Sequence, residues 1–413
     1  MIYLFIFIYL LFLSIHYDIL ENKKYKWTHF KIVITLLILL AGLRWRVGSD
    51  TVVYASDFYF SHDLFHLELS DFDSVNKMPF WVILNAFCKT IWDDFLLVQF
   101  IVAVFSLSVS GYFIKKICPS FCFFVLFCYF ISRFTALQME VMRESIAVSF
   151  CLLGILYFNE KKYKNALVFS VFSVMSHVFA IVAILVFIVC YYCLPKNIIF
   201  RMFLCFILLL IVLLENDIII YLIVNSIGGY FFNEEIVLRI LGYTNSDMYG
   251  NAEKSALNYI SLILYIVSYS IMLYKVRGKY LNSNINLNKN IFDVCVFICM
   301  YLLCIRFSFA IVYRIGLNYY YYFTCILSVA FLKVVLLNRI NKKQRILFFC
   351  FFITVPICLS YRSYFTLNLE SGAEILQYKK YYPYSSVFDR NFDKERERLY
   401  QIRGEGFSRY NDY

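Results

Sequence analysis

Ile32-Val-Ile-Thr-Leu-Leu-Ile-Leu-Leu-Ala-Gly-Leu43 runs without a charge and without alternating apolar and polar positions. A strand of a membrane barrel alternates the two over about ten residues, with one face toward lipid and the other toward the lumen. A helix satisfies its backbone polar groups internally and accepts an apolar side chain at every position, so hydrocarbon specifies a helix here. Comparable runs lie near residues 1–16, 30–43, 95–114, 121–138, 140–158, 165–176, 178–194, 198–214, 256–274, 291–311, 316–337 and 346–360. The longer ones approach the roughly 20 residues that carry a helix across about 30 Å of hydrocarbon. Of the 413 residues, 62% are hydrophobic and 16% charged, and the mean hydropathy is +0.69. An ordinary soluble domain is nearer 45–50% apolar, by a rough average. The fold class read from this is an all-α polytopic integral membrane protein with about twelve transmembrane helices.

The net charge of +11 would suit a nucleic-acid partner if it formed a patch, but it is distributed loop by loop. Lys23, Lys24 and Lys26, then Lys115 and Lys116, then Lys161, Lys162 and Lys164, then Lys196 and Arg201 occupy alternate connections. Lys275, Arg277, Lys279 and Lys289, and finally Arg339, Lys342, Lys343 and Arg345, continue the series. The positive-inside rule makes these connections cytoplasmic. The long loops 44–78 and 215–255 hold three basic residues against six acidic and two against six, and belong outside. The alternation closes if residues 78–92 form a re-entrant or interfacial helix and residues 165–194 form a helix pair meeting near Ser176 and His177. Residues 1–360 then form one transmembrane domain, and the nearly charge-balanced tail 361–413 is periplasmic, packed on the outer face or partly disordered. Residues 1–15 lack the basic flank and the small-residue cleavage site of a removed signal, so they read as the first span. The fourteen cysteines lie mostly in apolar runs, and the Cys190–Cys193 pair has no second pair of ligands, which argues against a zinc or redox centre.

The informative charges are those outside the cytoplasmic clusters. Arg44, Arg46 and Asp50 follow the second span; Glu140, Arg143 and Glu144 open the fifth; His177 lies at a helix junction; Arg314 opens the eleventh. All fall on the predicted outer side. A guanidinium inside a span costs from about 2.5 to more than 10 kcal/mol, so each needs a partner or a ligand. Internal pairs such as Arg143 with Glu140 or Glu144 are one reading. The other is an anion site, since three arginine-bearing segments face two or three acids. Arginine forks match phosphate, and a site at the edge of an apolar cavity suits a phosphate attached to a lipid. Tyr313 and Tyr319 to Tyr322 beside Arg314 fit either stacking on sugar rings or simple residence at the membrane interface. Asp71-x-Asp73, and His62 with His66 around Asp63, have the spacing of metal ligands but no fixed third ligand, and no metal is expected.

The block Gly42-Leu-Arg-Trp-Arg-Val-Gly-Ser-Asp-Thr-Val-Val-Tyr54, then Leu137-Gln-Met-Glu-Val-Met-Arg-Glu-Ser-Ile-Ala147, Ser176-His177, and Tyr382-Pro-Tyr-Ser-Ser386 follow one another over most of the chain. In this order they resemble the EpsG-like group of Wzy-type polysaccharide polymerases. The resemblance implies a GT-C-like fold and a glycosyltransferase that joins repeat units of O-antigen, capsule or exopolysaccharide. The units ride on undecaprenyl diphosphate at the periplasmic face of the bacterial inner membrane. It implies no cofactor and no nucleic acid, and as partners membrane lipid, a chain-length regulator and a flippase. Where such sequences carry Gly-Thr-Asp or Gly-Asn-Asp before the tyrosine, this chain has Gly48-Ser49-Asp50 followed by Thr51. Arg44, Arg46, Arg143 and Arg314 are the candidates for the diphosphate, and His177, Asp50 and Glu144 for the base. Tyr54, Gln138, Tyr319 and Tyr320 are the candidates for sugar. The rival readings are another GT-C enzyme or O-antigen ligase, and a lipid-linked oligosaccharide flippase. A transporter's charges would follow a path across both leaflets.

Overall fold

The computed structural model describes residues 2–72, 78–197, 199–204, 206–207, 256–279, 285–304, 318–333, 376–390 and 392–402, with seven single positions between 341 and 365. Arg314, Asp73 and loop 215–255 lie outside the described residues. Among these residues there is no strand, and the chain is an all-helical membrane protein. Four of the described helical runs, Ile2–Ile19, Phe95–Ile117, Pro119–Glu140 and Met142–Asn159, are long and apolar enough to cross a bilayer.

One compact unit comprises Met1–Ala180 and Leu336–Tyr413. Its helices are α1 (Ile2–Leu13), α2 (Lys26–Gly42), α3 (Ser49–Tyr59), α4 (Pro79–Ile91), α5 (Phe95–Ile117), α6 (Cys122–Tyr129), α7 (Met142–Asn159) and α8 (Tyr163–Ser176). Leu4, Phe5, Ile8 and Phe12 of α1 and Leu167, Val168 and Val171 of α8 are exposed, an outer surface made for lipid and not for water. Helix α2 lies close on α5 because Gly111 has no side chain. A Cβ there would approach Ile34 to 2.9 Å. Helix α4 has thirteen residues and is about 20 Å long, too short to cross. It buries Trp81, Val82, Asn85, Ala86 and Cys88 and exposes Ile83, Phe87 and Ile91.

Polar groups gather at the two ends of this unit. At one end Asp18 accepts from Lys26 Nζ at 3.1 Å and from the Phe124 N–H at 2.8 Å, while Lys26 also reaches the Ser120 carbonyl. Glu160 there takes both Lys116 and Lys162. The first three lysine clusters of the sequence thus meet at one end of this unit, as antiparallel helices with short connections require. The opposite end holds Arg44, Gln99, Glu140, Arg143 and His177. Gln99 Nε2 donates to the Gly42 and Arg44 carbonyls at 2.8 Å each, closing the C-terminus of α2, whose last carbonyls have no helical donor. Helix α6 continues as an eleven-residue π-helical stretch, Phe130–Glu140. Such wide turns are rare and concentrate at functional sites.

Helices α7 and α8 run antiparallel, with Ser173 Oγ donating to the Ala147 carbonyl at 2.6 Å. Helix α8 stops at Ser176. His177 is extended (φ −159, ψ 132), and α9 (Phe179–Cys193) follows, so the long apolar run breaks at His177.

The second compact unit, Ile181–Val335, contains α10 (Ala256–Lys279), α11 (Lys289–Cys304) and α12 (Tyr321–Phe331). Tyr265 stacks on Tyr269 at 4.2 Å, Ser328 reaches the Tyr269 hydroxyl, and Arg201 donates to Asn290 Oδ1 at 2.8 Å.

The described part of the C-terminal tail, ending in α13 (Lys394–Ile402), packs on the first unit. Ser386 forms an antiparallel bridge with Arg44, and backbone bonds join Trp45 to Ser385 and Val387 to Leu43 at 2.9 and 3.0 Å.

Candidate active site

The site begins at the turn between α2 and α3. Gly48 has φ 93, and a Cβ there would lie 2.1 Å from the Met139 carbonyl, so both its conformation and its neighbour demand glycine. The close approach lets Thr51 Oγ1 bond the same carbonyl at 2.8 Å, and the Gly48 N–H reaches the Lys380 carbonyl at 3.1 Å. Glu140, the last residue of the π-helical stretch, collects three donors. Ser49 Oγ and Lys380 Nζ approach Oε1 at 2.5 and 3.0 Å, and the Tyr381 hydroxyl approaches Oε2 at 2.5 Å. Segments 48–51, 139–140 and 380–381 are thereby locked together.

Arg44 and Arg46 brace this lock. Arg44 is buried and donates to the carbonyls of Ala41, Val47 and Met139 and to Thr51 Oγ1. Burial pulls its pKa down to about 10, which leaves it charged near neutrality. Arg46 has φ 49 and makes a two-pronged pair with Glu397 of α13, Nε to Oε1 at 2.9 Å and NH2 to Oε2 at 2.7 Å. The fork geometry that suits phosphate is thus taken up by a carboxylate of the tail.

On another face of α3 the Arg143 guanidinium carbon sits 5.0 Å from the centroid of the Tyr54 ring, and Tyr54 packs on Trp81 of α4 at 5.2 Å. Asp50 lies one turn before Tyr54, in the first turn of α3, where the free amides favour a carboxylate. From the Ala147–Ser173 bond, one turn toward this end stands Arg143 on α7 and one turn toward it stands His177 after α8. The register therefore brings His177 to the level of Arg143. His177 Nδ1 accepts the Phe179 N–H at 3.3 Å. A neutral imidazole accepting there carries its proton on Nε2. Glu144 is fully buried on α7.

Gln138, Tyr319 and Tyr320 are each buried. Gln138 is buried in the bundle, taking the Ser106 hydroxyl on Oε1 at 2.5 Å and giving Nε2 to Tyr129 at 2.8 Å. Tyr319 and Tyr320 are buried in the second unit, where the Tyr320 hydroxyl bonds the Ala183 carbonyl at 2.6 Å. Arg314 lies outside the described residues. His62 pairs with Asp71, and His66 with Asp63. The His66 ring and adjacent amides hold the Asp63 carboxyl below its ordinary range. Among the described residues no three His, Cys, Asp or Glu side chains form a group suited to a metal.

Lys380, Tyr381, Glu397 and Trp81 belong to the site's surroundings and escape a reading by charge pattern. Lys380 and Tyr381 directly precede Tyr382-Pro-Tyr-Ser-Ser386, so the ordered motif was their only signal. Residues 27–386 match the model of the EpsG family, a stretch from α2 to the Ser386 bridge. Neither a curated protein nor a solved structure matches the chain.

Proposed function

The chain belongs to the EpsG family, polysaccharide-polymerase-like membrane proteins, and from that premise we propose that it is a glycosyltransferase that polymerises oligosaccharide repeat units carried on undecaprenyl diphosphate. The observation that carries the reading is Arg143, held over Tyr54 at the level of His177, with Asp50 one turn before Tyr54 on α3. This reading also takes the fold as GT-C-like with twelve spans, and the site as opening to the periplasm of the inner membrane.

In the reaction, Asp50 takes the proton of the acceptor hydroxyl as its oxygen attacks the anomeric carbon of the growing chain. The bond from that carbon to the diphosphate breaks, and its electron pair leaves on a diphosphate oxygen. Arg143 and the Nε2–H of His177 stabilise the charge that develops there, where fixed donors contribute most. Diphosphate departs without protonation, so the site needs a base more than an acid. Tyr54 carries Arg143 and offers its ring edge to the sugar.

Surface polysaccharide from cells lacking this chain, with and without re-expression, tests the function. The ladder should collapse to a single repeat unit and return on re-expression. Loss of all surface material with repeat units trapped inside would indicate a flippase. Asp50→Asn and Arg143→Ala should each lower the polymerisation rate by roughly 100-fold, the scale of losing one essential transition-state contact. A pH–rate inflection near an ordinary imidazole value of about 6.5, lost in His177→Gln, would return the base role to His177.

A further inference from the structure

A cavity of about 380 Å³ opens on the side of α3 away from Tyr54. Thr51, Ala55 and Tyr59, spaced one turn apart, line it, whereas Asp50 and Tyr54 stand on the neighbouring face. Asp94 and Gln99 at the start of α5 form a second wall, and Arg390 and Phe392 of the tail form the third. Trp45 closes the rim beside Arg46.

The lining mixes flat aromatic planes with forked polar groups. Trp45, Tyr59 and Phe392 offer planes for the C–H face of a sugar ring, and Asp94, Gln99 and Arg390 offer partners for hydroxyls. An acyl or prenyl chain would have to desolvate Asp94 and Arg390 with nothing in return. A small free anion would find Arg44 engaged by carbonyls and Arg46 by Glu397, with Asp94 repelling it. The volume sits at the lower end of the roughly 300–1,000 Å³ of small-molecule sites, room for a short saccharide.

We propose that this cavity is a saccharide subsite, holding a sugar of the repeat unit that lies back from the reacting end. It rests on the polymerase reading, and places the subsite on the face of α3 next to the one that meets Arg143. A sugar held there would align the chain without touching the reacting bond. Its loss would therefore raise KM and shorten the product while leaving kcat little changed. The tail supplies one wall, so the Arg46–Glu397 pair that docks α13 also sets the width of the subsite.

The test is calorimetric titration of the full chain in lipid nanodiscs with lipid-free oligosaccharides of one to three repeats, released from the host's own polymer. Arg390→Ala and Phe392→Ala, both at exposed positions, should weaken binding roughly threefold to tenfold each, as expected for one ring or fork contact. Phe392→Tyr keeps a ring and should bind as the wild type does, which separates a platform from a packing role. Unchanged affinity in both alanine variants, or no binding by the wild type, would overturn the subsite. If deletion of the chain still collapses the polymer ladder in that case, the polymerase reading stands without it. If deletion leaves the ladder intact, the polymerase reading itself fails.

Discussion

Arg46 and Arg143 carry the same side chain and differ in what surrounds it. Arg46 is buried against Glu397, and Arg143 lies over an aromatic ring at the edge of the site. Removing one member of a buried ion pair strands the other, at a cost of about 3–5 kcal/mol. Arg46→Ala should therefore detach α13, measured as protease cleavage within 376–402, and the exchanged pair Arg46→Glu with Glu397→Arg should restore part of the protection. Gly48→Ala meets both a left-handed backbone and the Met139 carbonyl. The backbone term alone costs about 1–2 kcal/mol, and the clash adds to it, so this variant should melt well below the wild type and lose polymer. Arg44, Arg46, Asp50, Arg143 and His177 were all recognisable as charges that topology does not explain. What each one touches was not, because Arg46 and Glu397 lie 351 positions apart and no periodicity relates them.

At the scale of elements, helix ends do most of the organising. The Glu160 link between α7 and α8 illustrates one end. Hydrogen bonds from Lys116 and then Lys162 hold its carboxyl at about 2, below the ordinary value. A carboxyl depressed in the folded state stabilises fully above its unfolded pKa, about 4.3. That contribution is lost as pH falls toward 2. Thermal melting of Glu160→Gln should accordingly differ from the wild type above that window and converge with it below. At the other end the tail joins three chain segments through Glu140, Gly48 and Arg44. Truncation after residue 375 should leave membrane insertion intact but abolish polymer, read as normal protein level with a collapsed ladder. The break of the apolar run at His177 was legible from charge alternation. The π-helical stretch that presents Glu140 was not, since an apolar run reads the same whether its turns are α or π.

Within the first compact unit, the connections holding Lys26, Lys116 and Lys162 meet at one end and the candidate catalytic groups lie at the other. A cysteine placed after Lys162 should be labelled only from the cytoplasm, and one at Phe60 only from outside. Labelling of both from one side would overturn the topology. Phe60 suits the probe because it is 65% exposed at the end of α3.

Composition and hydropathy by themselves determined an all-helical membrane protein, because hydrocarbon leaves the backbone few ways to satisfy its polar groups. The ordered motifs determined its family. Only the tertiary structure decided which arginines brace the scaffold and which face the site, and that a tail of ordinary composition closes both the Glu140 lock and the cavity beside α3. Those choices depend on hydrogen-bond partners hundreds of residues apart, and a side chain's type states what it can bond without stating what it meets.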